Sequence, residues 1–407
     1  MKILQINVFN YKKGGSEAVY FNTIDLLKEH DNEVVNFALK WKDNYPSRYG
    51  NYFPESKETR KGVTKPIKNA INYFYHFEAT KRIDELIKKE RPDIAHIHLI
   101  WGQITSSILP VLKRYNIPII LSIHDYRLVC PAYTFRNGRE KICEQCHGRN
   151  FYYCIANKCT KNSYFLSFVM ALEQYFRNTF FFPATYIDGL IYVSNFAKNI
   201  HEKYMPTLKN KKSVVLYNFT DNIESVCTSK SDKYFLFFGR LSYEKGLKTL
   251  LSAFLKIPNS KLKIVGTGPL ESEIKHLIIN NNITNVELLG YKSGLDLIEI
   301  VRNAYFVIVP SEWYENNPMT IIESYAAGVP VIGANIGGIP EIIIENRTGY
   351  IFSPSNIQEL TNIINKAVVL PDDQYLEFCQ NALEFADNNF GKQNYYSRLM
   401  SFYSQFI

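Results

Sequence analysis

Short apolar runs alternate with helical stretches along most of the chain, and this alternation limits the possible folds more than any other feature. Strands that alternate with helices favour parallel sheets covered by helices. A chain of 407 residues with 46% hydrophobic residues is long enough to bury two cores. We therefore predict two α/β domains. The predicted strands are Lys2–Val8, Val34–Leu39, Ile94–His98, Ile117–Ser122, Gly189–Val193, Tyr234–Phe238, Lys261–Val265, Val286–Leu289 and Tyr305–Val309.

A polar stretch, Thr220–Asp232, interrupts the alternation near the middle of the chain. Such a stretch is typical of a linker between domains. We predict a first domain over 1–212, a linker over 213–232 and a second domain over 233–388. Residues 389–407 are predicted to form a separate C-terminal helix.

A loop and a helix follow the strand Tyr305–Val309. Asn317 is predicted to cap the helix, Pro318 to be its first residue and Gly328 to end it as residue C′. A helix that begins at the carboxyl end of a strand directs free N–H groups and a positive dipole end into a crevice. The stretch therefore predicts a site for a phosphate or another anion.

Two glutamates flank the start of this predicted helix, with Glu315 before it and Glu323 inside it. On a single helix they would lie roughly 12 Å apart along the axis, which is too far for the acid and nucleophile of a glycosidase. We therefore expect the two carboxylates to have different roles.

The pattern Glu315-x7-Glu323, followed by Ala327–Pro330 and Gly337–Glu341, resembles the signature of family 4 retaining glycosyltransferases. The resemblance is strongest over 234–352 and weaker in the first half of the chain. It implies the GT-B fold: an α/β architecture of two Rossmann-like doubly wound domains facing across a cleft. In this fold the C-terminal helix crosses back to pack on the first domain.

The resemblance also implies roles for individual residues. Arg240 and Lys245, in the pattern Gly-Arg-Leu-x3-Lys-Gly, would hold the diphosphate leaving group and stabilise its charge. Glu323 would bind the ribose hydroxyls, while Glu315 and His124 would contact the transferred sugar. The implied catalytic residues are Arg240, Lys245, Glu315 and His124. The implied donor-binding residues are Gly14, Gly15, Gly239, Arg240, Lys245, Gly266, Gly268, Glu315, Asn316, Asn317, Pro318, Met319, Thr320 and Glu323.

Four cysteines, Cys143, Cys146, Cys154 and Cys159, fall within seventeen positions of an irregular insertion at about 130–160. Disulfides are disfavoured in the cytosol, so a structural zinc site is one interpretation. Their spacing departs from the common zinc patterns, and unliganded cysteines in a packed subdomain are the other interpretation. For catalysis we expect no cofactor, because no Asp-x-Asp pair follows a strand and Arg and Lys would replace a metal.

The chain has a formal net charge of +8 and contains 29 tyrosines and 27 phenylalanines. It contains no recognised nucleic-acid-binding motif, so no nucleic-acid partner is expected. This composition is typical of an enzyme docked on an anionic membrane. The absence of a secretory signal and of a long apolar run predicts a cytoplasmic protein that is either soluble or bound peripherally to the inner face of the plasma membrane. The aromatic stretch Tyr164–Phe182 is interpreted as a core helix with a polar stripe at Glu173 and Arg177, and the alternative interpretation is a face for an acceptor or a membrane.

The function that follows is retaining transfer from a nucleotide-diphosphate sugar to a glycan or polyprenyl-linked acceptor. Its expected setting is the synthesis of a bacterial surface polysaccharide, such as capsule, O-antigen or exopolysaccharide. One alternative is a nucleotide-sugar epimerase of the same fold, which would need no acceptor. The other is a non-catalytic protein that binds nucleotide sugars or glycans, although a pure binder would not need a group to stabilise the leaving diphosphate.

Overall fold

The computed structural model describes residues 1–61, 65–220, 227–230 and 232–407. The chain forms two compact units, and each contains one six-stranded parallel sheet. The first unit comprises Met1–Leu216 and Tyr396–Ile407, and the second comprises Tyr217–Tyr395.

The strands of the first sheet are β1 (Lys2–Ile6), β2 (Glu33–Phe37), β3 (Ile94–Ile97), β4 (Ile119–Ile123), β5 (Gly189–Tyr192) and β6 (Lys212–Val215). Those of the second sheet are β7 (Tyr234–Phe238), β8 (Lys261–Val265), β9 (Val286–Gly290), β10 (Phe306–Val309), β11 (Val331–Ala334) and β12 (Gly349–Phe352).

Helices connect most consecutive strands within each sheet, because parallel neighbours need a crossover connection. They are α1 (Gly15–Glu29), α2 (Lys65–Phe74), α3 (Phe77–Glu90), α4 (Leu109–Arg114), α5 (Tyr152–Ala156), α6 (Tyr164–Phe180), α7 (Pro183–Tyr186), α8 (Asn195–Tyr204), α9 (Leu247–Leu255), α10 (Glu271–Asn280), α11 (Gly294–Arg302), α12 (Met319–Ala326), α13 (Ile357–Val368), α14 (Asp372–Phe390) and α15 (Lys392–Tyr403).

In the first sheet the strand order is β2-β1-β3-β4-β5-β6, so the direction of winding changes between β1 and β3. The central strands β3, β4 and β5 are buried along their whole length. Ligands of doubly wound proteins bind at the carboxyl ends of the strands where the winding changes. This places the loops after β1 and β3 at the expected binding edge of the first unit.

In the second sheet the order is β12-β11-β10-β7-β8-β9, and the winding changes between β10 and β7. Both strands are buried apolar runs, and Phe306 of β10 pairs with Phe235 of β7. The loops that follow β7 and β10 therefore leave the same edge of the sheet side by side.

The predicted linker over 213–232 begins too early. Ser213, Val214 and Val215 belong to β6, which pairs with β5 at the edge of the first sheet. This strand is only half-buried, so its sequence lacks the continuous apolar run that marked the other strands. Of the remaining predicted linker, 221–226 and 231 lie outside the described residues.

The last helix, α15, contributes its C-terminal part to the first unit. Its Arg398 donates a hydrogen bond to the carbonyl of Val215 at 2.8 Å, and the Tyr403 hydroxyl lies 2.6 Å from Nδ1 of His96. A Cβ atom on Gly189 of β5 would lie 2.5 Å from the ring of Phe406. The absence of a side chain at Gly189 thus lets the tail pack closely on the sheet.

The prediction that Tyr164–Phe182 is a core helix is wrong, because the aromatic side of this helix is exposed and its polar side is buried. Helix α6 buries Glu173, Gln174 and Arg177, while Phe165 and Phe180 are exposed. Glu173, Gln174 and Arg177 form hydrogen bonds inside the unit, although Nη1 of Arg177 has no partner among the described residues.

Candidate functional site

The loops after β7 and β10 bring the predicted leaving-group residues and the first glutamate together. Arg240 and Lys245 lie in the loop after β7, and Glu315 lies in the loop after β10. The two loops are joined by a hydrogen bond from the Glu312 amide to the Glu244 carbonyl at 2.8 Å. The topology of the sheet therefore unites residues that are far apart in the sequence.

Close approach of these loops depends on Gly246, which has a φ of +70°. A Cβ atom at this position would lie 1.9 Å from the carbonyl oxygen of Pro310. Every other residue would both clash there and adopt a strained backbone conformation. This explains why glycine follows Lys245 in the loop motif.

Lys245 and Glu315 form an ion pair, with 2.6 Å between Nζ and Oε1. The Ser311 hydroxyl donates to the same carboxylate oxygen at 2.8 Å. Burial of Glu315 alone would raise its pKa, but the Lys245 ammonium and these hydrogen bonds hold the pKa below its ordinary value. Glu315 is therefore a carboxylate at neutral pH, held in one orientation by two donors.

The backbone of Glu315 is fixed by the glycine pair of the Gly337–Glu341 motif. Gly337 has a φ of +62°, and a Cβ atom on it would lie 2.3 Å from the Glu315 carbonyl oxygen. The Gly338 amide donates to that oxygen at 2.7 Å. These contacts give a structural reason for the two adjacent glycines.

Helix α12 begins at Met319 with Pro318 in the capping position, so the predicted cap at Asn317 is wrong. The Asn317 side-chain oxygen instead accepts a hydrogen bond from the Asn218 amide at 2.7 Å. The Asn218 side chain donates in turn to the Asn317 carbonyl at 3.0 Å. Ala327 is the C-cap residue of α12, and Gly328 follows it with a φ of +69°. The prediction of Gly328 as residue C′ is therefore confirmed.

Two features leave polar groups ready for a ligand at the start of α12. Asn317 Nδ2 is buried and has no hydrogen-bond partner within the described part of the chain. No side chain caps α12, whose first residues Met319 and Thr320 are half-buried. Buried donors and helix N-termini are usually satisfied, so this location is suited to an anionic or hydroxyl-rich ligand.

Glu323 lies on α12 one turn beyond these residues. It is half-buried, and burial raises its pKa to about 7. Hydroxyl groups of a ligand could donate hydrogen bonds to this carboxyl group in place of the water that burial removes, and these bonds would stabilise its ionised form.

Glycines also bring the loops after β7 and β8 into backbone contact. A Cβ atom on Gly266 would lie 1.9 Å from the Gly239 carbonyl oxygen, and one on Gly268 would lie 2.3 Å from that of Leu241. The Leu241 amide donates to the Thr267 carbonyl at 3.0 Å. This contact holds the loop on which Arg240 is exposed at the carboxyl edge of the sheet.

In the first unit, His124 follows β4 and lies beside His98, which follows the adjacent strand β3. Their rings stack, with 3.0 Å between His98 Nδ1 and His124 Nε2. His98 Nε2 donates to Gln5 Oε1 at 2.9 Å, so Nδ1 of neutral His98 accepts and Nε2 of His124 donates. Burial lowers the pKa of His124 to about 4, so it is neutral at physiological pH.

The same network continues to the C-terminal helix. Gln5 Nε2 lies 3.3 Å from His96 Nδ1, and the Tyr403 hydroxyl lies 2.6 Å from the same nitrogen. His98 and Gln5 were not among the site residues predicted from the sequence. The position of His98 in the sequence could have indicated it. His98 follows β3 in the same way that His124 follows β4, and these two parallel strands are adjacent in the sheet.

The glycine turn after β1 starts α1, and Ser16, which follows the two glycines in the sequence, does not cap this helix. Gly14 occupies the capping position with extended backbone, and the helix begins at Gly15. The Ser16 hydroxyl donates to Glu17 Oε1 at 3.2 Å instead. Gly14 and Gly15 are exposed at the carboxyl edge of the first sheet, the edge at which His124 also lies.

The insertion brings cysteine thiols together. Hydrogen bonding with Cys159, together with burial, raises the pKa of Cys143, and Cys159 also contacts Cys154. Burial raises the pKa of Cys146, to which Cys143 and Cys159 are neighbours. In the described ranges no group of three or more His, Cys, Asp or Glu side chains has an arrangement that could hold a metal ion. The zinc assignment therefore stays a prediction.

Comparison with known proteins identifies the family. The model of "Glycosyltransferase Family 4" matches residues 13–222, and that of "Glycosyl transferases group 1" matches residues 218–385. An uncharacterized glycosyltransferase of Methanocaldococcus jannaschii, MJ1178, is 25% identical over 361 residues, which cover 88% of this chain and 86% of the relative. An uncharacterized 42.6 kDa protein in the cps region of Klebsiella pneumoniae is 24% identical, covering 89% of this chain and 92% of the relative.

Solved structures agree on the fold. Sucrose-phosphate synthase of Thermosynechococcus elongatus superposes with a TM-score of 0.72 at 17% identity, covering 99% of this chain and 98% of that one. HepE of Anabaena in complex with UDP-glucose gives a TM-score of 0.64 at 18% identity, with both chains fully covered. The GT-B fold expected from the sequence is thereby confirmed. The chain belongs to glycosyltransferase family 4 and is a glycosyltransferase.

Proposed function

We propose that the protein transfers a sugar from a nucleotide-diphosphate sugar to a glycan or lipid-linked acceptor, with retention of configuration and without a catalytic metal. The observation that carries the proposal is the Lys245–Glu315 pair at the switch point of the second sheet, beside the uncapped start of α12. A fixed cation and a helix dipole end suit a diphosphate, while an oriented carboxylate suits sugar hydroxyls.

The proposed reaction takes place on one face of the sugar. The bond between the anomeric carbon and the diphosphate oxygen breaks, and its electron pair leaves with the diphosphate. The acceptor oxygen bonds to the anomeric carbon on the same face, and its proton passes to the departing diphosphate. Arg240 and Lys245 would stabilise the charge that grows on the leaving group, which lowers the barrier because this charge is largest near the transition state.

The relatives support the donor class and the setting. HepE has been solved with UDP and with UDP-glucose, and one relative is a protein in the cps region of Klebsiella pneumoniae. We infer a nucleotide-diphosphate sugar donor and a role in bacterial surface polysaccharide synthesis at the inner face of the plasma membrane.

A two-step experiment tests the proposal. Thermal shift with a panel of nucleotide sugars should find a donor that raises the melting temperature, since a ligand that binds only the folded state stabilises it. The product made from that donor is then analysed by NMR, and we expect the anomeric configuration of the donor to be retained.

Two results would contradict the proposal. An inverted product would remove the front-face mechanism and the roles assigned to Lys245 and Glu315. Release of free nucleotide at the full rate without any acceptor would instead indicate the epimerase alternative.

A further inference from the structure

Helix α6 is built with its polar side facing the interior. Arg177 Nε donates to Glu173 Oε1 at 3.0 Å, and Glu173 Oε2 lies 3.4 Å from the guanidinium of Arg127. Gln174 Nε2 donates to the carbonyl of Leu128 at 2.8 Å. Because Arg127 and Leu128 follow His124 closely in the chain, these buried bonds attach α6 to the segment at the carboxyl end of β4.

The opposite side of α6 exposes large apolar side chains. At 100° per residue the exposed positions cover about half of the helix circumference, and the buried polar positions cover the other half. This is the reverse of an ordinary surface helix, whose apolar stripe faces the core. A contiguous exposed apolar surface of this kind marks an interaction site. Its residues, which we call the α6 face, are Tyr164, Phe165, Phe168, Leu172, Tyr175 and Phe180.

Helix α2 extends the α6 face. The two helices pack together through Phe74 and Phe176, whose ring centroids are 5.6 Å apart. Beyond this contact, Ile67 and Ile71 of α2 are also exposed. The apolar surface thus spans two helices of the first unit.

The exposed charged residues of the two chain segments that contain α6 and α2 are all cationic. Between His147 and Pro183 the only acidic residue is Glu173, and it is buried in the bonds described above. Lys161 and Arg149 are exposed next to α6, and Lys68 is exposed on α2, which contains no acidic residue. An apolar surface bordered by cations is complementary to a surface that is apolar inside and anionic at its boundary.

We propose that the α6 face docks the protein on an anionic lipid bilayer. Its aromatic and aliphatic side chains enter the boundary between headgroups and acyl chains, while the neighbouring cations contact lipid phosphates. No helix of the described residues is long and apolar enough to cross a bilayer, so the contact is one of docking. A second copy of the chain is a poorer partner, because two equal faces would bring their cations together.

Docking on a bilayer would favour a lipid-linked acceptor over a free glycan. This choice of acceptor rests on the proposed function, whereas the docking itself does not. The buried bonds of Glu173, Gln174 and Arg177 hold the α6 face close in the fold to the segment that follows His124. A lipid-linked sugar presented at the bilayer would therefore be delivered to the carboxyl edge of the first sheet.

Sedimentation of the full-length protein with vesicles tests the proposal. One set of vesicles contains phosphatidylcholine only, and the other contains equal parts of phosphatidylcholine and phosphatidylglycerol. We expect binding to the anionic vesicles that weakens at high salt, because screening reduces the attraction of exposed charges. The Phe168→Glu/Leu172→Glu variant should lose at least tenfold in vesicle affinity.

Ile279→Glu/Leu295→Glu is the matched control, since both side chains are exposed, on α10 and α11 of the second unit. It adds the same charge and should bind vesicles as the wild type does. Circular dichroism should give wild-type melting for both variants, because none of the four positions is buried.

Three results would overturn the proposal. These are equal, negligible binding to both kinds of vesicle, unchanged binding by the α6-face variant, and equal losses in that variant and the control. Light scattering that finds a dimer broken by the α6-face variant would assign the face to self-association instead. Donor binding, measured by calorimetry without vesicles, reports on the proposed function separately and should be the same in all these proteins.

Discussion

Lys245 and Glu315 are 70 positions apart in the chain, yet 2.6 Å separates Nζ from Oε1. The pair exists because β7 and β10 are neighbours at the point where the winding of the second sheet changes, so that their loops leave the same edge. Each partner neutralises the charge of the other. A bound donor would present a diphosphate to the lysine and hydroxyls to the carboxylate.

Replacing either proposed leaving-group cation should lower turnover strongly. Arg240→Ala and Lys245→Ala are each expected to reduce kcat by roughly a hundredfold or more, because stabilisation of developing charge acts mainly in the transition state. Lys248→Ala is the control, since Lys248 lies on the next helix in an ion pair with Glu273. Near-normal kcat in both test variants would mean that another group holds the diphosphate.

Loss of Glu323 should affect binding more than turnover. Contacts to ribose hydroxyls are similar in the ground state and the transition state, so Glu323→Ala should raise KM with little change in kcat. Isothermal calorimetry with the nucleoside diphosphate should give a dissociation constant about tenfold weaker than that of the wild type. A fall in kcat at constant KM would assign Glu323 to the chemical step.

Glu323 should also make stability depend on pH. Its pKa is raised from 4.5 to about 7 in the folded protein, so its contribution to stability is complete below pH 4.5 and is lost as the pH rises through about 7. Glu323→Gln should therefore melt like the wild type near pH 4.5 but be more stable at pH 8, by no more than about 3 kcal/mol. Glu384→Gln, at an exposed position of α14, should give no such pH-dependent gain.

His124 should stay neutral and keep one tautomer across the physiological range. Burial lowers its pKa to about 4, and the acceptor Nδ1 of His98 selects the form protonated on Nε2. Long-range ¹H–¹⁵N NMR spectra between pH 5.5 and 8 should report this tautomer without titration. In His98→Phe the second tautomer should become populated, whereas His276→Gln, at an exposed position of α10, should change nothing. Titration of His124 near pH 6.5 would contradict the assignment.

The sequence predicts zinc at the cysteine cluster, whereas the side chains of the described residues are not arranged to hold a metal ion there. Metal analysis of reduced protein should find close to one zinc per chain, and binding should release protons because the pKa values of Cys143 and Cys146 are raised in the metal-free protein. Cys379→Ser, at a buried cysteine of the second unit, should not change the zinc content. If chelation leaves a metal-free protein with unchanged melting, the cysteines have a packing role only.

The α/β class and most strands of the second unit could be predicted from local sequence patterns alone. Strands β7 and β8 have the predicted bounds: β7 is an uninterrupted apolar run, β8 alternates lysine with apolar residues before it becomes apolar, and a glycine follows each strand. Gly328, and the glycine motifs at Gly239–Gly246 and Gly337–Glu341, were visible because a tight backbone contact permits only one residue type. Such signals are local, so a single sequence contains them.

Contacts between residues that are distant in the sequence depend on the packing of the whole unit, and local sequence patterns did not predict them. Asn317 was predicted as a cap from its position, but Asn218 takes its oxygen, and nothing near Asn317 in the sequence indicates that partner. The pairing of His98 with His124 depends likewise on the adjacency of β3 and β4. The orientation of α6 was decided in the same way, because its periodicity reveals two faces but not which one is buried. Buried partners such as Arg127 bind polar side chains of α6 inside the unit, and the apolar side of the helix is exposed.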